Sequence, residues 1–117
     1  LVIIEFCGND FLKKVPLETT VGNIKEMILR CQAHGAMVAV VDVSAGMFWR
    51  QYRAAFRKLA QQNQAIFVPA VLTGIITNPS LKSDFLHPNV DGYKIIAQRV
   101  MRAITPSLSQ NQRLRNS

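Results

Sequence analysis

The 117-residue sequence is poor in cysteine, acidic residues and aromatics, and it has no long apolar run. Its two cysteines, Cys7 and Cys31, are too few for a disulfide scaffold and lack zinc-site spacing, so they leave the redox compartment open. No apolar stretch reaches the roughly 18 residues a bilayer-spanning helix needs, and no transmembrane segment is expected. No phosphate-binding glycine loop or metal-ligand spacing is present, so no metal or organic cofactor is implied. Repeats are absent as well. With 49% hydrophobic and 18% charged residues, the composition excludes collagen-like and disordered chains and fits a single globular domain.

The start of the chain lacks an initiator methionine, a polar lead-in and the basic region and cleavage site of a signal peptide. Leu1-Val2-Ile3-Ile4 already lies within a β-branched apolar run. The expectation is a piece of a longer protein beginning just before a core strand, with any leader lying ahead of Leu1 and the compartment therefore unread. Acidic residues are scarce mainly in the second part. Residues 1–42 hold four basic and five acidic side chains, whereas residues 43–117 hold ten and two. Arg50, Arg53, Arg57 and Lys58 fall at helical spacing with no acid among them. Such a stripe serves an anionic partner or is the solvated face of a helix. Without an accompanying nucleic-acid motif it reads as the solvated face, and no nucleic-acid partner is expected.

Short apolar runs alternate with helical periodicities. Residues 1–6 read as a buried strand and Cys7-Gly8-Asn9-Asp10 as a sharp loop. Residues 18–31 read as an amphipathic helix capped by Thr19 or Thr20 and ended by His34-Gly35. Residues 36–41 form a second buried strand, and residues 48–62 a helix with Tyr52, Phe56, Leu59 and Ala60 inward. Residues 65–69 are a third strand, and residues 70–88 are irregular. Residues 89–104 form a last helix with Tyr93, Ile96, Ala97, Val100 and Ile104 inward. The domain thus covers residues 1–105, and residues 106–117, rich in Ser, Gln, Asn and Arg, read as a disordered polar tail. This order predicts an α/β domain with a parallel sheet and right-handed crossovers, whose ligand site lies beyond the carboxyl ends of the strands.

Two polar clusters occupy such ends. In Asp84-Phe85-Leu86-His87-Pro88-Asn89, an acid three residues before a histidine can fix the ring's tautomer and stabilise its imidazolium, making His87 a general base and Asp84 its orienter. The same residues also serve as helix punctuation, with Asn89 as N-cap. In Gly8-Asn9-Asp10, the Asn9 amide can donate to a developing oxyanion, or the triplet is an ordinary turn.

Together these residues resemble the third and fifth sequence blocks of the SGNH, or GDSL, hydrolases, most closely the arylesterase and multifunctional thioesterase/lysophospholipase branch. Ile4-Glu5-Phe6-Cys7-Gly8-Asn9-Asp10 is similar to the third block, and Gln32-Ala33-His34-Gly35-Ala36 to the segment after it. Ser83 to Asn89, followed by Gly92-Tyr93 and Ile96-Ala97, is similar to the fifth. The resemblance implies a three-layer α/β/α flavodoxin-like fold lacking its first strands, with Asn9 in the oxyanion hole, Asp84 as orienting acid and His87 as base. Cys7 stands where the third block usually has Gly, and it reads as a tolerated thiol, not a nucleophile.

The family's Gly-Asp-Ser block, which holds the nucleophile, does not occur. Ser44, Ser80, Ser83, Ser107, Ser109 and Ser117 all lack a nucleophile's context. The resemblance therefore implies serine-dependent hydrolysis of esters or thioesters with the serine on a segment preceding Leu1, this chain alone being inactive. The alternative is a non-catalytic remnant or assembly module. Without the missing strands, residues 1–6 form an apolar sheet edge, expected to pair with that amino-terminal segment or to self-associate. Met47 and Phe48 (with Trp49), and Phe85 with residues 72–76, Leu81 and Leu86, line an acyl pocket or serve as core packing.

Overall fold

The computed structural model describes residues 1–6, 8–45 and 49–115. Its strands are β1 (Val2–Glu5), β2 (Val38–Val41) and β3 (Ile66–Val68). Its helices are α1 (Gly8–Leu12), α2 (Leu17–Ala33), α3 (Arg50–Gln62) and α4 (Val90–Arg115), with a 3-10 turn at Pro79–Leu81. The strands form one parallel sheet in the order β1-β2-β3, with Val2 opposite Val38 and Ala39 opposite Ile66.

Burial of β2 on both faces explains its unbroken apolar sequence. Val38 and Val40 point into a core with Ile24 and Ile28 of α2 and with Tyr52, Phe56 and Leu59 of α3. Ala39 and Val41 point the other way, into a core with Val68, Val71 and Ile104 of α4. Two successive right-handed crossovers advancing in one direction place α2 and α3 on the same face. The opposite face is left to α4, and the result is three layers, α/β/α. α4 starts near the carboxyl ends of the strands and reaches the opposite end of the sheet, where Asn111 Nδ2 lies 2.9 Å from Met37 Sδ. No helix of the described residues is long and apolar enough to cross a membrane.

Several sequence expectations are corrected. The segment after β1, expected to be a loop, is the short helix α1. Its fold comes from tertiary contacts: the Thr20 hydroxyl donates to Asp10 Oδ2 (2.7 Å), and Phe11 stacks on Trp49 with ring centroids 3.8 Å apart. Thr20 is thereby committed to Asp10, and α2 starts after Pro16 without a side-chain cap. The strand expected to be buried is buried only at Ile4; Leu1, Val2, Ile3 and Phe6 are exposed, because β1 is the sheet edge and α4 covers β2 and β3. Tyr93 and Ala97 of α4 face outward, while Ile96, Val100 and Ile104 face the core as expected. The polar stretch read as a disordered tail continues α4 to Arg115, with Pro106 inside it. The basic stripe of α3 also meets an acid after all. Arg53 Nε donates to Asp42 Oδ2 (2.8 Å), and Arg57 lies 5.1 Å above the Phe67 ring.

Candidate active site

The loop between β3 and α4 closes on itself before presenting Asp84 and His87. Lys82 and Pro88 form an antiparallel bridge, and Ser83 donates to the His87 carbonyl through its backbone N–H (2.9 Å) and its hydroxyl (3.3 Å). Inside this turn, Asp84 Oδ1 accepts from the backbone N–H groups of Leu86 and His87, both at 2.8 Å. The ring nitrogen His87 Nδ1 lies 2.8 Å from Asp84 Oδ2 and 3.0 Å from Oδ1.

This geometry fixes the protonation pattern. The two backbone N–H groups, with the imidazole behind them, lower the Asp84 pKa to about 2, because each bond favours the charged carboxylate. An ionised carboxylate only accepts, so Nδ1 carries the proton. A neutral His87 ring then keeps its lone pair on Nε2, free to take a proton from a hydroxyl. The pair is solvent-facing: the His87 and Asp84 side chains are 63% and 56% exposed.

Asn89 caps α4 as the sequence suggests: its Oδ1 accepts from the N–H groups of Asp91 and Gly92, both at 3.1 Å. It has a further role that the sequence does not announce, since its Nδ2 donates back to the Ser80 carbonyl (2.8 Å). Arg99 is a second residue missed by sequence reasoning. It donates to the carbonyls of Val71 (2.6 Å) and Thr73 (2.8 Å), holding the start of the long loop against α4. No motif marks either role.

Asn9 lies on α1, exposed, just beyond the carboxyl end of β1. β1 and β3 flank β2, so two strand spacings, about 10 Å, separate the strand ends that carry Asn9 and the Asp84–His87 loop. Of the proposed acyl-contact residues, Met47 and Phe48 lie outside the described residues, as does Cys7. Phe85 is 90% exposed, with Lys82 Nζ 5.5 Å above its ring. A recess of about 390 Å³ opens instead beside α1, lined mainly by Phe11, Leu12, Val15, Leu17 and Tyr52. Among the described residues no serine hydroxyl bonds His87 Nε2: the Ser83 hydroxyl is committed to backbone carbonyls, the Ser80 hydroxyl donates to Asn78 Oδ1 (2.7 Å), Ser44 is buried, and Ser107 and Ser109 lie in the later turns of α4.

The sequence and the fold both have known relatives. The chain is 29% identical over 114 residues to an arylesterase from Vibrio mimicus, covering 92% of this chain and 57% of that protein. Its fold is similar to the crystal structure of TesA (TM-score 0.82, 22% identity, 91% of this chain and 62% of that one). It is also similar to the psychrotrophic esterase EstA from Pseudoalteromonas sp. (TM-score 0.79, 21% identity, 92% and 62%). AlinE4, an SGNH-hydrolase family esterase, matches with a TM-score of 0.61 at 20% identity (95% and 60%). The chain thus spans about three-fifths of the length of these relatives. The model of the GDSL-like lipase/acylhydrolase family matches residues 1–95, and the chain belongs to that family.

Proposed function

We propose that this chain carries the acid–base part of a serine-dependent ester or thioester hydrolase, and that a serine outside these 117 residues is the nucleophile. The observation that carries the reading is the Asp84 carboxylate paired with His87 Nδ1 at 2.8 Å in the loop beyond β3. Nε2 of the neutral ring takes the serine proton as the serine oxygen attacks the substrate carbonyl carbon. Asp84 stabilises the resulting imidazolium, and the Asn9 amide, with backbone N–H groups, donates to the tetrahedral oxyanion. As the carbon–oxygen or carbon–sulfur bond breaks, Nε2 returns the proton to the leaving alcohol or thiol. The same nitrogen then activates the water that hydrolyses the acyl-serine. The substrate is a small-molecule ester or thioester whose acyl group rests in the recess beside Phe11 and Tyr52.

The segment carrying the serine pairs along β1. Support comes from the exposed Leu1, Val2, Ile3 and Phe6, an apolar edge of the kind that folded proteins cover. The experiment is intact-mass and peptide-level spectrometry of the complete protein after reaction with a fluorophosphonate. The reading expects one adduct on a serine outside residues 1–117, formed with loss of fluoride, and no adduct in His87→Ala. Absence of any adduct would leave an assembly module in place of an enzyme, and an adduct on Ser83 would overturn the placement of the nucleophile.

A further inference from the structure

An exposed acid–histidine pair three residues apart has little power to hold its own geometry, because water competes for both partners. The backbone on either side of His87 must therefore do so. On one side Ser83 binds the carbonyls of His87 and Pro88. On the other side stand Asn89 and Gly92. We propose that Asn89 and Gly92 form a clasp that positions His87, and that both are positioning residues for the acid–base pair; the proposal rests on the reading of that pair given above.

The clasp joins the first turn of α4 to the 3-10 turn at Pro79–Leu81. Asn89 N donates to the Leu81 carbonyl (2.9 Å), and Asn89 Nδ2 donates to the carbonyls of Ser80 (2.8 Å) and Lys82 (3.5 Å). Its Oδ1 faces the other way and caps α4. One side chain thus ties both elements together, with buried Pro88 next to it. Gly92 lets the two elements approach. A Cβ at this position would overlap the Leu81 carbonyl oxygen and stand 2.9 Å from Pro88 Cβ and 3.3 Å from Ile75 Cγ2. The obstacle at Leu81 is backbone, which cannot swing aside as a flexible side chain can. Gly92 is required for close approach and not for an unusual backbone angle. Any side chain here pushes α4 from Leu81 and Pro88, and Pro88 is bonded directly to His87.

The proposal separates from ordinary helix capping by experiment. Asn89→Ser keeps a capping oxygen but its hydroxyl is too short to reach the Ser80 and Lys82 carbonyls. Gly92→Ala brings in a better helix former but closes the approach. Gly22→Ala is the control, since a Cβ there meets nothing within 4 Å. The readout is the pair of His87 ring nitrogen resonances in 15N-labelled full chain, above the usual imidazole titration range, with helix content by circular dichroism alongside.

In the wild type and in Gly22→Ala, one nitrogen is protonated and the other bare, with the proton on Nδ1. In Gly92→Ala and Asn89→Ser, the two signals move toward the averaged values of a tautomer mixture while helix content is retained. In the complete enzyme kcat then falls about 100-fold with KM little changed, the scale expected for a misplaced catalytic group. Unchanged ring resonances in both variants would overturn the clasp, even if stability or turnover fell. Should Gly92→Ala not fold, Asn89→Ser alone decides by the same signals. The ring measurement needs no substrate, so a failed clasp and a failed hydrolase reading give different results.

Discussion

Asp42 offers the sharpest test of how the loops around the site are held. Its side chain is 1% exposed and accepts from Ser44 N (2.8 Å), Ala70 N (3.0 Å) and Arg53 Nε (2.8 Å). It thereby ties the exit of β2 to the start of the long loop, where Ala70 sits at φ +50°. Asp42→Ala strands two backbone donors at about 1–3 kcal/mol each. It also unpairs Arg53, whose side chain is 35% exposed and can turn to water at small cost. The expected loss is about 3–4 kcal/mol, mainly from the two stranded donors. Arg53→Met removes the bond to Asp42 Oδ2 and a longer one to the Ser44 carbonyl (3.4 Å) and leaves the carboxylate its two N–H partners, so the loss is about 2 kcal/mol. The Asp42→Ala/Arg53→Met double variant should cost little more than Asp42→Ala alone. Urea unfolding followed by circular dichroism reads these losses as midpoint shifts. At about 1–3 kcal/mol per molar of urea, Asp42→Ala moves the midpoint by about 2 M. The reasoning is refuted if Asp42→Ala costs under about 1 kcal/mol, or if Arg53→Met costs more than Asp42→Ala.

Three further outcomes are expected. Phe56→Ala, which empties a fully buried ring site between α3 and the sheet, should destabilise by about 3–5 kcal/mol in the same unfolding assay. Gly22→Ala, exposed within α2 with open space at its Cβ, should stabilise by up to about 1 kcal/mol and raise the melting temperature. The Asp84 side-chain carboxyl carbon should titrate near pH 2 in the folded protein. Because the folded pKa is depressed, its contribution to stability is present above the ordinary value of 3.8 and is lost as the pH falls toward 2. A carboxyl midpoint near 3.8 would contradict the hydrogen bonding around Asp84.

The parts of the molecule legible in sequence are those where local pattern and tertiary burial agree. The run at 38–41 is buried on both faces, and Tyr52, Phe56, Leu59 and Ala60 line one side of α3 as their spacing predicts. The Asp84–His87 contact was legible because a separation of three residues within one turn puts the two side chains within reach of each other. α1 was not, because Gly8-Asn9-Asp10 has a turn's composition and its helix depends on Thr20 and Trp49, distant in sequence. The end of α4 misled for the opposite reason. Its polar residues and Pro106 suit a loose tail, yet Thr105 Oγ1 bonds the Met101 carbonyl (2.6 Å) and Asn111 reaches Met37. The clasp was illegible because a missing Cβ leaves no pattern; only Leu81 and Pro88 packed against Gly92 reveal why it is absent.

The most direct test of the account is turnover of a p-nitrophenyl ester by the complete protein, compared with its His87→Ala and Asp84→Asn variants under identical conditions. If His87 is the base and Asp84 holds its proton on Nδ1, kcat falls by at least about 100-fold in each variant, with melting temperatures close to wild type. Undiminished turnover in His87→Ala would contradict the account, because the proton would then be leaving the nucleophile by another route.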